Sequence, residues 1–230
     1  MLRAQKKLSK RELKEDPLIT TYAKTVAFYE KHKKHISTSL LVIGLLALAV
    51  VFYTNNRKQN NERASLQLAQ VYQLFDNGQY EAAINGVPER NIVGLKDIVA
   101  NYGSSDAGEI ATFYLADAYA RTGKYELALE KFDDFSPAHT LLAVARLAGI
   151  AGAYEGLGKY DQAAENFQKA ANKNPDDVHV AEYLSNAARN YGLAGSRDQA
   201  INLYKKLKKD HATTTFGREA DRHIARLTAS

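Results

Sequence analysis

Histidine is the side chain best suited to hold a transition metal or pass a proton near neutral pH. The sequence has six: His32, His35, His139, His179, His211 and His223. A helix that binds zinc through two imidazoles needs them one turn apart, as in HExxH, and none of these lies four residues from another on an expected helix. There is no cysteine, so thiolate ligands and disulfides are excluded together. Adjacent carboxylates could form an acid–base pair. Asp133-Asp134 and Asp176-Asp177 are adjacent, but both pairs fall at expected helix ends or turns, where capping or solvation accounts for them. The small polar run NYGSSDAG reads as a loop between helices. GxGxxG, GxxxxGKS/T and GxSxG are all missing, which leaves no sign of phosphate-cradling or acyl-transfer chemistry. The expectation is a protein with no catalytic residues, no metal and no cofactor.

Fourteen tyrosines could stack on the bases of a nucleic-acid strand. Charge argues against it. Residues 1–35 carry ten Lys/Arg against four Asp/Glu, whereas the remaining 195 residues carry 21 against 22. A strand of phosphates would find little to neutralise along that larger part. The tyrosines then belong to a core, and the question becomes which elements place them. With 45% apolar residues and only four prolines in 230, helices are the expected elements.

One of those helices is unlike the rest. Ile36–Tyr53, ISTSLLVIGLLALAVVFY, runs eighteen residues without a charge. As a helix it would cover roughly 27 Å, close to the ~30 Å hydrocarbon core of a bilayer. Ser37, Thr38 and Ser39 can bond the preceding backbone turn, and Tyr53 suits the headgroup level. The apolar surface of the expected anchor, residues 36–54, is made by Ile36, Leu40, Leu41, Ile43, Leu45, Leu46, Leu48, Val50, Val51, Phe52 and Tyr53. A buried core helix does not fit flanks such as KHKK and NNRKQNNER. A cleaved leader would use ALA at 47–49, but thirty-five residues precede the apolar run, far more than a usual n-region. The ten cations lie before the span, and only Arg57, Lys58 and Arg63 closely follow it. The positive-inside rule places residues 1–35 in the cytoplasm and the C-terminal part across the membrane.

Within residues 1–35, Asp16-Pro17 is a helix start, with a capping side chain before a proline at the first position. Leu18, Tyr22, Val26 and Tyr29 follow at helical spacing among Lys24, Lys31, Lys33 and Lys34. That is the pattern of an amphipathic helix on anionic lipid or a membrane partner, or of a plain anchor flank. Residues 55–63 form a polar collar.

Beyond the collar the chain repeats itself. Tyr119, Gly123, Tyr125, Ala128 and Phe132 recur thirty-five residues later as Tyr154, Gly158, Tyr160, Ala163 and Phe167. A shift of thirty-seven then gives Tyr191, Gly195, Ala200 and Tyr204, with Arg197 in place of the second tyrosine. Forty-five residues before Gly123 stand Gly78, Tyr80 and Ala83, with Leu74 and Val87 at the larger positions. Alternating large and small residues let two helices approach, the small ones being Ala116, Ala151 and Ala188 on the first helix and Ala128, Ala163 and Ala200 on the second. The glycine between them supplies a left-handed helix end.

This pattern resembles the tetratricopeptide repeat, a helix–turn–helix of about 34 residues. It is strongest over residues 144–177, where Ile150, Ala151, Tyr154, Gly158, Tyr160, Ala163, Phe167, Ala170 and Pro175 all match. There is no tryptophan for the family's first large position, which Leu147 takes in that copy. With the charge-free span read above as a single transmembrane helix, the expectation is an all-α fold in which that helix is followed by the tetratricopeptide-like solenoid that the resemblance implies over 64–212. Its hairpins fall near 64–87, 109–135, 144–177 and 181–211, with an inserted helix near 94–102 carrying Leu95, Ile98, Val99 and Tyr102. Residues 213–230 read as a capping helix with Phe216, Ala220, Ile224 and Leu227 on one face.

Such solenoids curve, and the family's concave face holds peptides or partner segments. The repeat spacing places Tyr72, Phe113, Asp117, Arg121, Glu155 and Arg189 on it. A basic N-terminus, one span and an exported repeat domain are together similar to the YfgM-type ancillary subunits of the Sec translocon. That likeness implies a single-pass protein of the bacterial inner membrane with a periplasmic C-terminal domain, working beside SecYEG and periplasmic chaperones. A structural role in an envelope or division complex, and an enzyme whose site is built from unremarkable residues, stay open beside it. So does self-association.

Overall fold

The computed structural model describes residues 17–137 and 139–229, and these form ten α-helices with one two-stranded ribbon. Asp16, the expected cap of the first helix, lies outside them. Two compact units divide at Asn56–Arg57.

The described part of the first unit lies in the helix α1 (Pro17–Asp76). The described residues before the apolar run, the run itself and the polar collar all fall within its bounds. Leu40–Tyr53 are all exposed, and this is the one helix among the described residues long and apolar enough to cross a membrane. Hydroxyls at the head of the apolar run are satisfied within it. Ser37 Oγ and Thr38 Oγ1 donate to the Lys34 carbonyl at 3.1 and 2.8 Å. A hydroxyl bonded to its own helix can enter hydrocarbon at little cost.

The second unit is a stack of helical hairpins. The end of α1 pairs with α2 (Tyr80–Asn85), α4 (Asp106–Arg121) with α5 (Tyr125–Asp134), α6 (Thr140–Gly156) with α7 (Tyr160–Lys173), and α8 (Val180–Leu193) with α9 (Arg197–Asp210). Between the first two hairpins stand β1 (Gly86–Val87), β2 (Ile92–Val93) and α3 (Leu95–Tyr102). The last helix, α10 (Thr215–Ala229), closes the series.

The same turn ends the first helix of every hairpin. Gly78, Gly123, Gly158 and Gly195 all take a left-handed φ of 70° to 85°. Each glycine N–H donates to the carbonyl three residues back, and the next N–H reaches the carbonyl of Leu74, Tyr119, Tyr154 or Tyr191, five residues back. This is the Schellman arrangement, which favours a residue without a β-carbon at the left-handed position. An apolar contact commonly seals it. Here Lys124 and Lys159 instead place their ammonium groups over the rings of Tyr119 and Tyr154, at 6.0 and 5.9 Å.

The small residues read from the repeat are where the helices meet. Ala116, Ala151 and Ala188 on the first helices, and Ala83, Ala128, Ala163 and Ala200 on the second, are 0% exposed. Two apolar cores result. One gathers Val71, Ile84, Ile98, Leu115 and Phe132; the other gathers Phe167, Leu184, Leu203, Tyr204 and Leu207. They divide α6 between them, Ile150 and Ala153 facing the first and Ala151 the second. Phe216, Ile224 and Leu227 of α10 pack on the second core around buried Ala220.

The first hairpin departs from the others. Its second helix stops at Asn85, so Val87 lies in a β-ribbon rather than in a helix. Gly86 pairs with Val93 and Val87 with Ile92, around a turn in which Asn91 is left-handed, φ 53°. A β-carbon on Gly86 would come within 2.6 Å of the Gly94 nitrogen, and one on Gly94 within 2.5 Å of the Gly86 nitrogen. Two glycines are needed to bring the ribbon's ends this close.

Candidate functional site

The first helices of the second, third and fourth hairpins share one face of the stack. Phe113, Asp117, Ala120 and Arg121 from α4, Ala145, Ala148, Gly149 and Gly152 from α6, and Tyr183 from α8 line a groove of about 500 Å³. Tyr125 and Phe132 of α5 complete its floor. A volume of this order falls in the usual range of binding clefts, and the lining is mostly apolar with few polar groups, as such clefts are.

Each lining residue is placed by packing. Phe113 sits between Phe132 and Phe135 at ring separations of 5.9 and 5.4 Å, so its orientation is fixed by edge-on and tilted aromatic contacts. Phe132 is fully buried, and its carbonyl accepts from Arg146 Nε at 2.5 Å. Asp117 and Arg121 are one turn apart on α4, with Nε donating to Oδ2 at 3.3 Å. The Arg121 guanidinium also lies over the Tyr80 ring, 5.6 Å from its centroid. Burial raises the hydroxyl pKa of Tyr183, and the nearby charges of Asp177 and Glu182 add to the effect.

Of the six positions read from the sequence, Phe113, Asp117 and Arg121 come together in this groove. Tyr72, on α1, is not among the lining residues; it is exposed, with its ring edge-on to Tyr114 at 5.2 Å. Burial is the main cause of a raised Tyr114 pKa, with Tyr72 contributing next. Glu155 and Arg189 find one another instead. Both terminal guanidinium nitrogens of Arg189, Nη1 and Nη2, donate to the carboxylate at 2.8 Å, and buried Asn190 donates to the same carboxylate at 2.8 Å. Those bonds, Arg189's first, hold the Glu155 carboxyl below the usual range despite its partial burial. This pair ties α6 to α8. Arg189 also borders a smaller cavity of about 200 Å³ with Leu193, Tyr204, His223 and Leu227, where the His223 ring stacks on Tyr204 at 4.8 Å.

The repeat spacing does not reveal Tyr183 or the glycines of the groove floor. A signal exists for the glycines: Gly149, Gly152 and Gly156 recur on one face of a helix whose interior otherwise disfavours glycine.

Residues 149–177 match the family described as tetratricopeptide repeat. No curated protein matches the sequence significantly. Among solved structures, two crystal structures of the nearly identical TPR-like repeats assigned to a kinesin light chain of Podosopora anserina are similar in fold. One, with a point substitution, is 17% identical with a TM-score of 0.58, covering 73% of this chain and 85% of that one. The other is 18% identical with a TM-score of 0.57, covering 73% and 86%. The repeat match at the centre and the shared fold around it make this a protein of tetratricopeptide-like helical repeats.

Proposed function

We propose that the protein is a membrane-tethered scaffold that binds segments of other polypeptides in the groove between α4, α6 and α8. The groove is the observation that carries this reading: three first helices, with α5, give a mostly apolar lining that includes four aromatic rings, on a fold whose neighbouring helices repeat the same face. The exposed apolar run of α1 supports the tether, since so long an uncovered stretch is costly in water. The excess of cations before it supports a cytoplasmic N-terminus and a repeat domain on the far side. The likeness in organisation to ancillary subunits of the Sec translocon makes an emerging exported chain, with SecYEG and periplasmic chaperones nearby, the specific setting of this proposal.

A photocrosslinking amino acid at Phe113 of the full-length protein, in membranes at native expression, tests the reading. Polypeptide adducts are expected at this position and not at exposed Lys169 on α7, with a translocon component or an exported chain among them. Adducts equal at both positions would count against the groove. Recovery without any Sec component would remove the translocon setting alone, and concentration of a fluorescent fusion at midcell would favour assembly of a division complex.

A further inference from the structure

We infer that the groove seats an aromatic side chain of its partner on the bare backbone at Gly152, an inference that rests on the reading of the groove as a polypeptide-binding surface. Gly149, Gly152 and Gly156 stand on one face of α6. A β-carbon at Gly149 would collide with the ring of Phe132, and one at Gly156 with the ring of Tyr125. Each of those glycines is therefore a seat already taken by a ring from α5. Gly152, between them, is helical and exposed, and a β-carbon there would meet nothing within 4 Å. Glycine weakens a helix interior relative to alanine, and no packing inside the chain requires it here. Gly152 opens onto the groove. It is a third seat of the same kind, left for a ring from outside.

The walls favour the same occupant. Phe113, Tyr125, Phe132 and Tyr183 border the groove, and the first and third are held by their mutual contact at 5.9 Å. Rings fixed before binding lose little freedom when a partner ring packs edge-on or offset against them. Charge selects further. Asp117 and Arg121 are the charged residues of the lining, and they neutralise one another at 3.3 Å. An acidic or basic tail would find no uncompensated charge, whereas a neutral segment loses nothing by entering. Phe132 meets the Gly149 position with the tip of its ring, Cζ and the two Cε carbons, and a partner ring can enter the Gly152 seat tip-first in the same way. A branched aliphatic side chain is broader at its end and lacks the planar edge that the aromatic walls pack against.

The test uses the full chain in detergent micelles and three fluorescein-labelled peptides of a neutral Ser/Ala/Gln context, differing only in a central Phe, Leu or Glu. By fluorescence anisotropy the Phe peptide is expected to bind about tenfold more tightly than either other peptide, on the scale of one specific aromatic contact. Gly152→Leu fills the seat and is expected to weaken the Phe peptide by about tenfold without lowering Tm. Gly152→Ala is expected to raise Tm by about 2 °C, as a helix-interior glycine with no packing role should, while also weakening the Phe peptide. Equal binding of the Leu or Glu peptide, no measurable binding of any, or unchanged binding by Gly152→Leu overturns the aromatic seat. Adducts at Phe113 would then still stand as evidence for a polypeptide-binding groove, and their absence would remove both.

Discussion

Phe132 is buried completely and wedged by Phe113, so a methyl group added at Gly149 has nowhere to send the ring it meets. Overpacking of this kind costs about 1–3 kcal/mol, against a helix-propensity gain of ~1 kcal/mol for replacing glycine by alanine. Overpacking wins there. Tyr125, over Gly156, is only partly buried and can swing outward, so the two terms are closer to balance. Urea unfolding of the full chain in micelles should accordingly find Gly149→Ala less stable by about 1–2 kcal/mol and Gly156→Ala changed by less than half as much. A larger loss at Gly156 would mean that the turn near α6's end, and not the ring, sets its residue type. The turn glycines are visible in the sequence because they recur in register. Gly149 and Gly152 stand out only as helix-interior glycines on one face, and their role is not legible there because it depends on a ring, or the lack of one, from another helix.

At the scale of elements, the third and fourth hairpins are tied by a charged contact, the Glu155 carboxylate bridged to Arg189 and Asn190, beside neutral-donor bonds from Tyr191 to Gln168 and from Ser196 to Asp161. The substitution Glu155→Gln leaves the guanidinium and the buried amide with one acceptor fewer, a change worth about 1–3 kcal/mol for charged hydrogen bonds. Because the folded protein holds this carboxyl below the usual range, chiefly through Arg189, it binds the proton less readily folded than unfolded. Its contribution is thus fully present above the ordinary value of 4.5 and is lost as pH falls through the lowered folded value. The stability gap between the natural protein and Glu155→Gln should be constant from about pH 8 to pH 6 and shrink in acid below the ordinary carboxylate range. A gap that widens on acidification would contradict this. Since each hairpin leans only on its neighbours, hydrogen exchange in the variant should quicken in α8–α10 more than in α4 and α5. Periodicity places Glu155 and Arg189 on one surface but cannot pair them, since a repeat fixes faces and not rotamers. It is also silent on the ribbon at Gly86–Val93, whose strands have two residues each and break the period that makes the rest readable.

For the whole molecule, the proposed topology depends on charge more than on the repeats. The segment before the apolar run holds ten Lys/Arg, and Arg57, Lys58 and Arg63 are the cations soon after it. Orientation follows the side with more Lys/Arg close to the span, and acidic residues hardly enter. Lys24, Lys31, Lys33 and Lys34 lie within a dozen residues of Ile36, and the collar supplies neutral exposed positions at Asn55, Asn56 and Gln59. The collar's polar contacts with the second hairpin run instead through Arg57 on Asp106 and Asn61 on the Ala107 N–H, and the buried packing of α1 begins at Ala64. Changing the four lysines to glutamine and the three collar residues to lysine therefore reverses the local bias while leaving the repeat fold intact. In spheroplasts, proteinase K should remove the natural repeat domain and spare it in the charge-reversed chain, with detergent restoring cleavage. Equal digestion of both chains would show that something other than flanking charge orients the span, and protection of the natural chain would place the groove, with whatever it binds, in the cytoplasm.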